Sequence, residues 1–125
     1  MSVSDAQQSM LKNLFTAIDA RDTASFLQHL SDDASFRFGS APAARGKDEI
    51  AAAVDAFFTS IAGLRHDVSL SIGSGDDLIC EGEVTYTRHD GSTITLPFAD
   101  VFNLDAGRIR NYKIYMDIGP LYADP

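Results

Sequence analysis

Apolar residues at Met10, Leu11, Leu14, Phe15 and Ile18 recur at helical spacing. Ser4 stands ahead of them with Gln7 three residues on, a Ser-x-x-Gln capping box. Asp22 caps a second helix that carries Ala24, Phe26, Leu27 and Leu30, and Ser31-Asp32-Asp33 interrupts it. A short strand around Ala34 to Phe38 follows, then a loop from Gly39 to Gly46. The third helix shows Ile50, Ala53, Val54, Phe57, Phe58 and Ile61 along one side, with Gly63 as its stop.

From there the period changes from helical to alternating, and an antiparallel meander is predicted. His66 to Ile72 places His, Val, Leu and Ile on one face, and Gly73 to Asp77 turns the chain. Leu78 to Arg88 is a long strand, and the Asp90-Gly91 step after it is a hairpin signal. Thr93 to Leu104 and Arg108 to Ile118 complete the sheet. Helices before an antiparallel sheet indicate an α+β class rather than a parallel α/β one. Three N-terminal helices are expected to pack on one face of a strongly bent antiparallel or mixed sheet. The other face, where Glu81, Glu83, Thr85 and Thr87 alternate, is expected to pair with a second copy.

Strand alternation selects candidate site residues. Leu96, Phe98, Asp100, Phe102 and Leu104 share the more apolar face of their strand, so that face is assigned inward. Asp100 then points among aromatic rings, where an unpartnered carboxylate costs several kcal/mol or stays protonated. In the long strand, Cys80, Gly82, Val84 and Tyr86 form the expected inner set. In the last strand, Tyr115 and Asp117 share one face and Tyr112, Ile114, Met116 and Ile118 the other, and parity leaves both orientations open. Asp117 is read as a pocket base or as a strand-end acid satisfying turn amides. His66 begins its strand on the apolar face, as a site residue or a satisfied histidine. Phe36, Phe38, Phe98, Phe102, Tyr86 and Tyr115 are core or ligand wall.

Composition narrows the function. The 125 residues suit one domain spanning 1–125. A net charge of −8, with 18 acidic and 10 basic residues, argues against nucleic acid and anionic membranes as partners. Three scattered histidines and one cysteine offer no ligand-spaced metal cluster. No phosphate-binding glycine loop is present, so no cofactor is expected. One cysteine and a start without basic and apolar signal regions lead to an expected cytoplasmic location.

The stretches Asp22 to Asp33, Arg45-Gly-Lys-Asp-Glu-Ile50, Leu64-Arg-His66 and Phe98 to Asp117 resemble, in order and spacing, the SnoaL-like branch of the nuclear transport factor 2-like superfamily. The resemblance covers nearly the whole chain. It implies a cone-shaped, cystatin-like α+β barrel with a small-molecule pocket between sheet and helices. That superfamily includes ketosteroid isomerases, epoxide hydrolases, polyketide cyclases and dehydratases.

Residue by residue, Asp100 resembles the penultimate-strand acid of steroid isomerases and hydrolases. Asp117 resembles the last-strand aspartate of SnoaL-type cyclases. Phe38 and Leu14 stand where the isomerases carry a base and a tyrosine, and Phe98 where the hydrolases carry an arginine. Two functions follow as expectations. One is cofactor-free acid–base catalysis by Asp100 and Asp117 on a small apolar substrate: isomerisation, cyclisation, dehydration or hydrolysis. The other is a ligand-binding or dimerisation module with no chemistry.

Overall fold

The computed structural model describes residues 2–123. Its elements in chain order are α1 (Asp5–Asp19), α2 (Thr23–Leu27), β1 (Leu30–Phe38), β2 (Ala44–Arg45), α3 (Gly46–Thr59), β3 (Gly63–Ser74), β4 (Asp77–Thr87), β5 (Thr93–Asp105), β6 (Arg108–Tyr115) and α4 (Gly119–Tyr122). The expected capping box starts α1: the Gln7 N–H donates to Ser4 Oγ at 3.1 Å, and the Ser4 N–H donates to Gln7 Oε1 at 3.0 Å. Asp22 caps α2 by accepting the Ser25 N–H.

One six-stranded sheet runs in the order β2-β1-β6-β5-β4-β3. The expected antiparallel meander is its β3 to β6 part, and β1 joins β6 in parallel, so the sheet is mixed. It stays open, with β2 and β3 as edges, rather than closing into a barrel. The helices supply Leu11, Leu14, Phe15, Ile18, Ile50, Val54 and Phe58 to a core completed by the inner sheet residues Val84, Leu96, Phe98 and Phe102.

Four expectations are corrected. The second helix stops at Leu27, and Leu30 is the fully buried first residue of β1, which is longer than the predicted strand. The Gly39 to Gly46 loop contains the two-residue strand β2. The last strand ends at Tyr115 rather than Ile118, and α4, with Pro120 in its first turn, follows.

The fourth correction is in β3, where a register shift between Val68 and Leu70 breaks the single apolar face. Before the shift His66 opposes inward Val84. After it Leu70 opposes Glu81 and Ile72 opposes the exposed Ile79, so both lie on the outer face. Gly82 is the reason the bulge fits. A Cβ there would overlap the Asp67 carbonyl oxygen, so only glycine admits this approach of the two backbones.

Candidate functional site

The inner sheet face, α1, α2 and α3 enclose a cavity of about 250 Å³. Its wall is mostly hydrocarbon and aromatic: Ile18, Phe26, Phe36, Phe38, Val54, Phe57, Phe58, Leu64, Phe98 and Ile114. The polar groups in that wall are Asp100, His66, Tyr86 and Tyr112.

Asp100 arrives there by the alternation of β5, between inward Phe98 and Phe102. It is 1% exposed, the one charged side chain in the buried set among the described residues. Its Oδ2 accepts a 3.3 Å hydrogen bond from the Tyr112 hydroxyl, and its Oδ1 is buried with no partner. Burial pushes its carboxyl up to about 8, against a smaller lowering by the Tyr112 bond. At neutral pH Asp100 is therefore a carboxylic acid. With Oδ2 accepting from Tyr112, an acid proton on Oδ1 would be free to donate to a ligand. Tyr112 is itself held by β6, packed against Phe26, Phe36 and Phe102. Burial also pushes the Tyr112 and Tyr86 hydroxyls and the Cys80 thiol up, so all three remain protonated.

His66 stands elsewhere on the same wall. Its ring lies between Phe15 and Phe98, with centroids 4.9 and 5.2 Å away. Asp19, the last residue of α1, grips it twice: Oδ2 accepts the His66 backbone N–H at 2.9 Å, and Oδ1 lies 2.6 Å from Nδ1. A carboxylate oxygen this close calls for the ring proton on Nδ1, so that in the neutral ring Nε2 is the acceptor. Phe98 lies between the two polar centres. His66 touches its ring, and Asp100 is the next inward residue of β5, roughly 7 Å further along the strand.

The sequence-derived candidates divide accordingly. Asp100, His66, Tyr86, Phe36, Phe38 and Phe98 line this cavity. Phe102 is fully buried behind it, its ring tilted against that of Tyr112. Tyr115 is 57% exposed and on the outer face, opposite Ala99. Asp117 is exposed beyond the end of β6, and its Oδ1 accepts the Gly119 N–H at 3.0 Å. That bond is the one a strand-end acid would make to a turn amide, and Asp117 does not line the cavity that holds Asp100. The shortfall of β6 is the physical cause: once the strand ends at Tyr115, alternation no longer positions residue 117.

Asp19 and Tyr112 are site residues that sequence reasoning missed. Asp19 had a local signal. An acid at a helix C-terminus opposes the helix dipole and needs a reason to be there. Tyr112 was one of the two possible faces of β6, and only the pairing with β1 and β5 settles it. Among the described residues no three His, Cys, Asp or Glu side chains are grouped to hold a metal ion, and no helix is long and apolar enough to cross a membrane.

Residues 11–112 match the SnoaL-like domain family. The chain belongs to that family. No functionally curated protein matches it in sequence. Among solved structures, this SnoaL-like chain is similar to an NTF2-like protein of unknown function from Burkholderia pseudomallei, at 22% identity and TM-score 0.85 over 94% of this chain and 95% of that one. It is also similar to a putative SnoaL-like polyketide cyclase from Jannaschia, at 15% identity and TM-score 0.80 over 100% and 99%. A third similar structure is an LEH-like epoxide hydrolase from M. tuberculosis, at 17% identity and TM-score 0.75 over 88% and 81%. At these identities the likeness establishes the SnoaL-like fold alone.

Proposed function

We propose that this protein is a cofactor-free acid–base enzyme that moves a proton next to the carbonyl of a small, largely apolar ring compound. The observation that carries the reading is one apolar cavity holding both a neutral carboxylic acid, Asp100, and a carboxylate-held imidazole, His66. A neutral carboxylic acid can donate a hydrogen bond to a carbonyl oxygen, and an imidazole nitrogen can accept a proton.

In this reading the substrate carbonyl oxygen accepts the Asp100 Oδ1 proton in a hydrogen bond. His66 Nε2 takes the α-proton, the C–H electron pair becomes the enol double bond, and negative charge gathers on the oxygen facing Asp100. Returning the proton from His66 Nε2 to a different carbon gives isomerisation. Attack by the enol carbon on a second carbonyl of the same substrate closes a ring, breaks that carbonyl's π bond and leaves an alkoxide that takes the proton from His66 Nε2, which is cyclisation. Asp19 touches no substrate; it positions the imidazole and stabilises the imidazolium that forms. The cavity, at about 250 Å³, is at the small end of ligand pockets.

The test uses 2-tetralone in D₂O, with α-proton exchange followed by NMR. The wild-type chain is expected to accelerate exchange, and His66→Gln and Asp100→Asn each to reduce that acceleration by about 10²-fold or more. Bound 2-tetralone exchanging no faster than in buffer would sink the proposal.

The competing reading is a ligand-binding module without chemistry. It draws on the position of Asp117 outside the cavity, which leaves the family's last-strand acid without access to a ligand there. A ligand that saturates the cavity and is recovered unchanged, with no exchange, would favour it.

A further inference from the structure

A second hollow lies at the rim of the first. It is an open basin of about 500 Å³ formed where β1 and β6 end side by side. Ile114 and Met116 wall both hollows. The turn after β1 serves both as well: Phe38 and Ala41 face the cavity, and Gly39 and Ser40 face the basin.

The basin holds two cations in neighbouring places. Arg37 and Lys113 are directly paired across the parallel β1–β6 ladder, so their side chains emerge on the same outer face. Across β6's other neighbour, Lys113 opposes Val101. Among the described residues neither Arg37 nor Lys113 forms an ion pair. The Arg37 Nε donates to the Ala41 carbonyl at 3.2 Å, which lays the guanidinium against the turn at the rim. Asp117 also borders the basin, but its Oδ1 is occupied by the Gly119 N–H. Two like charges side by side repel each other. In a chain of net charge −8 acids are abundant, yet the one that borders the basin, Asp117, forms no ion pair with either cation.

We infer that the Arg37–Lys113 basin is an anion subsite, and that the ligand is an apolar ring compound carrying one carboxylate or phosphate. The ring enters the cavity, and the anionic group stays at the rim between the guanidinium and the ammonium. Guanidinium supplies a planar fork matched to such oxygens, and lysine supplies a point charge. The inference rests on the ring-binding cavity of the proposed function and adds the charge of its ligand.

The experiment compares two dyes that differ by one group. 8-Anilinonaphthalene-1-sulfonate carries an anion, and N-phenyl-1-naphthylamine is the same skeleton without it. Each is titrated by fluorescence against the wild-type chain and against the Arg37→Gln/Lys113→Gln double variant. The sulfonate dye is expected to bind wild type about ten-fold more tightly than the neutral dye at about 20 mM salt, with the gap closing at about 500 mM. The double variant is expected to lose that gap while binding the neutral dye unchanged. Equal affinities in wild type, a gap that survives the double substitution, or no binding of the sulfonate dye would each overturn the inference. No turnover is needed, so a failure of His66 as base leaves this outcome untouched, and the α-proton exchange of neutral 2-tetralone does not involve the basin.

Discussion

Replacing Asp19 by asparagine keeps the shape of the His66 support and changes its chemistry. In the native chain both carboxylate oxygens accept, one from the His66 backbone N–H at 2.9 Å and one facing Nδ1 at 2.6 Å. Asparagine has one oxygen to offer. If that oxygen keeps the backbone N–H, the amide NH₂ faces Nδ1, which must then accept, and the ring proton moves to Nε2. If the oxygen turns to Nδ1 instead, two N–H donors meet at the backbone. Either way one charge-assisted bond is lost, which costs about 1–2 kcal/mol of stability.

The catalytic cost of Asp19→Asn is larger. A proton on Nε2 leaves no lone pair facing the cavity, and losing a general base costs about 10²–10⁴-fold in rate. The assay combines urea unfolding, the ¹⁵N shifts of His66, which report the tautomer, and exchange of 2-tetralone in D₂O. The expected result is a small fall in stability, a change of tautomer and a large fall in exchange. A variant that exchanges 2-tetralone within about three-fold of wild type would refute the reasoning, because the base would not depend on its tautomer.

Asp100 ties stability to pH. Its carboxyl is raised from 3.8 to about 8 in the folded chain, so its contribution is fully present below about pH 4 and is lost as pH rises through about 8. The span of about four units is worth of order 5 kcal/mol at most. Urea unfolding from pH 4 to pH 9 is expected to show wild type losing stability relative to Asp100→Asn, and parallel curves would count against a neutral Asp100. Gly82→Ala is expected to destabilise by about 2 kcal/mol or more, because the new Cβ would meet the Asp67 carbonyl at the β3 bulge. An unfolding midpoint equal to wild type would show that the bulge yields freely.

We also expect a homodimer through the outer sheet face. There Glu81, Glu83, Thr85 and Thr87 alternate along β4, and Leu70 and Ile79 are exposed beside them. Light scattering at micromolar concentration should give twice the chain mass, and a monomer mass would contradict it.

How much of this was legible in the sequence follows from which signals are local. Alternation along β5 was sufficient to turn Asp100 inward, because Leu96, Phe98, Phe102 and Leu104, four apolar or aromatic positions, share its parity. The capping box of α1 and the hairpin at Asp90-Gly91 are local as well. The Asp19–His66 pair joins residues 47 positions apart and exists only once α1 lies against β3. The face reversal in β3 was hidden because its cause, Gly82, sits on the neighbouring strand. Asp117 was left between two readings because parity does not orient the last strand, and β6 ends at Tyr115, before Gly119 and Pro120 take the chain into α4. The missed site residues are thus those whose position depends on pairing, and the ones found depend on strand parity.

The central claim is that a neutral carboxylic acid waits in the cavity at physiological pH. It can be read directly from the carboxyl ¹³C shift of Asp100 as a function of pH. The measurement uses ¹³C-labelled aspartate, with the resonance assigned by its loss in Asp100→Asn. The account predicts a midpoint of about 8. A midpoint at the ordinary aspartate value of 3.8 would mean that Asp100 is an anion at neutrality, and the hydrogen-bond donor on which the proposed chemistry depends would not exist.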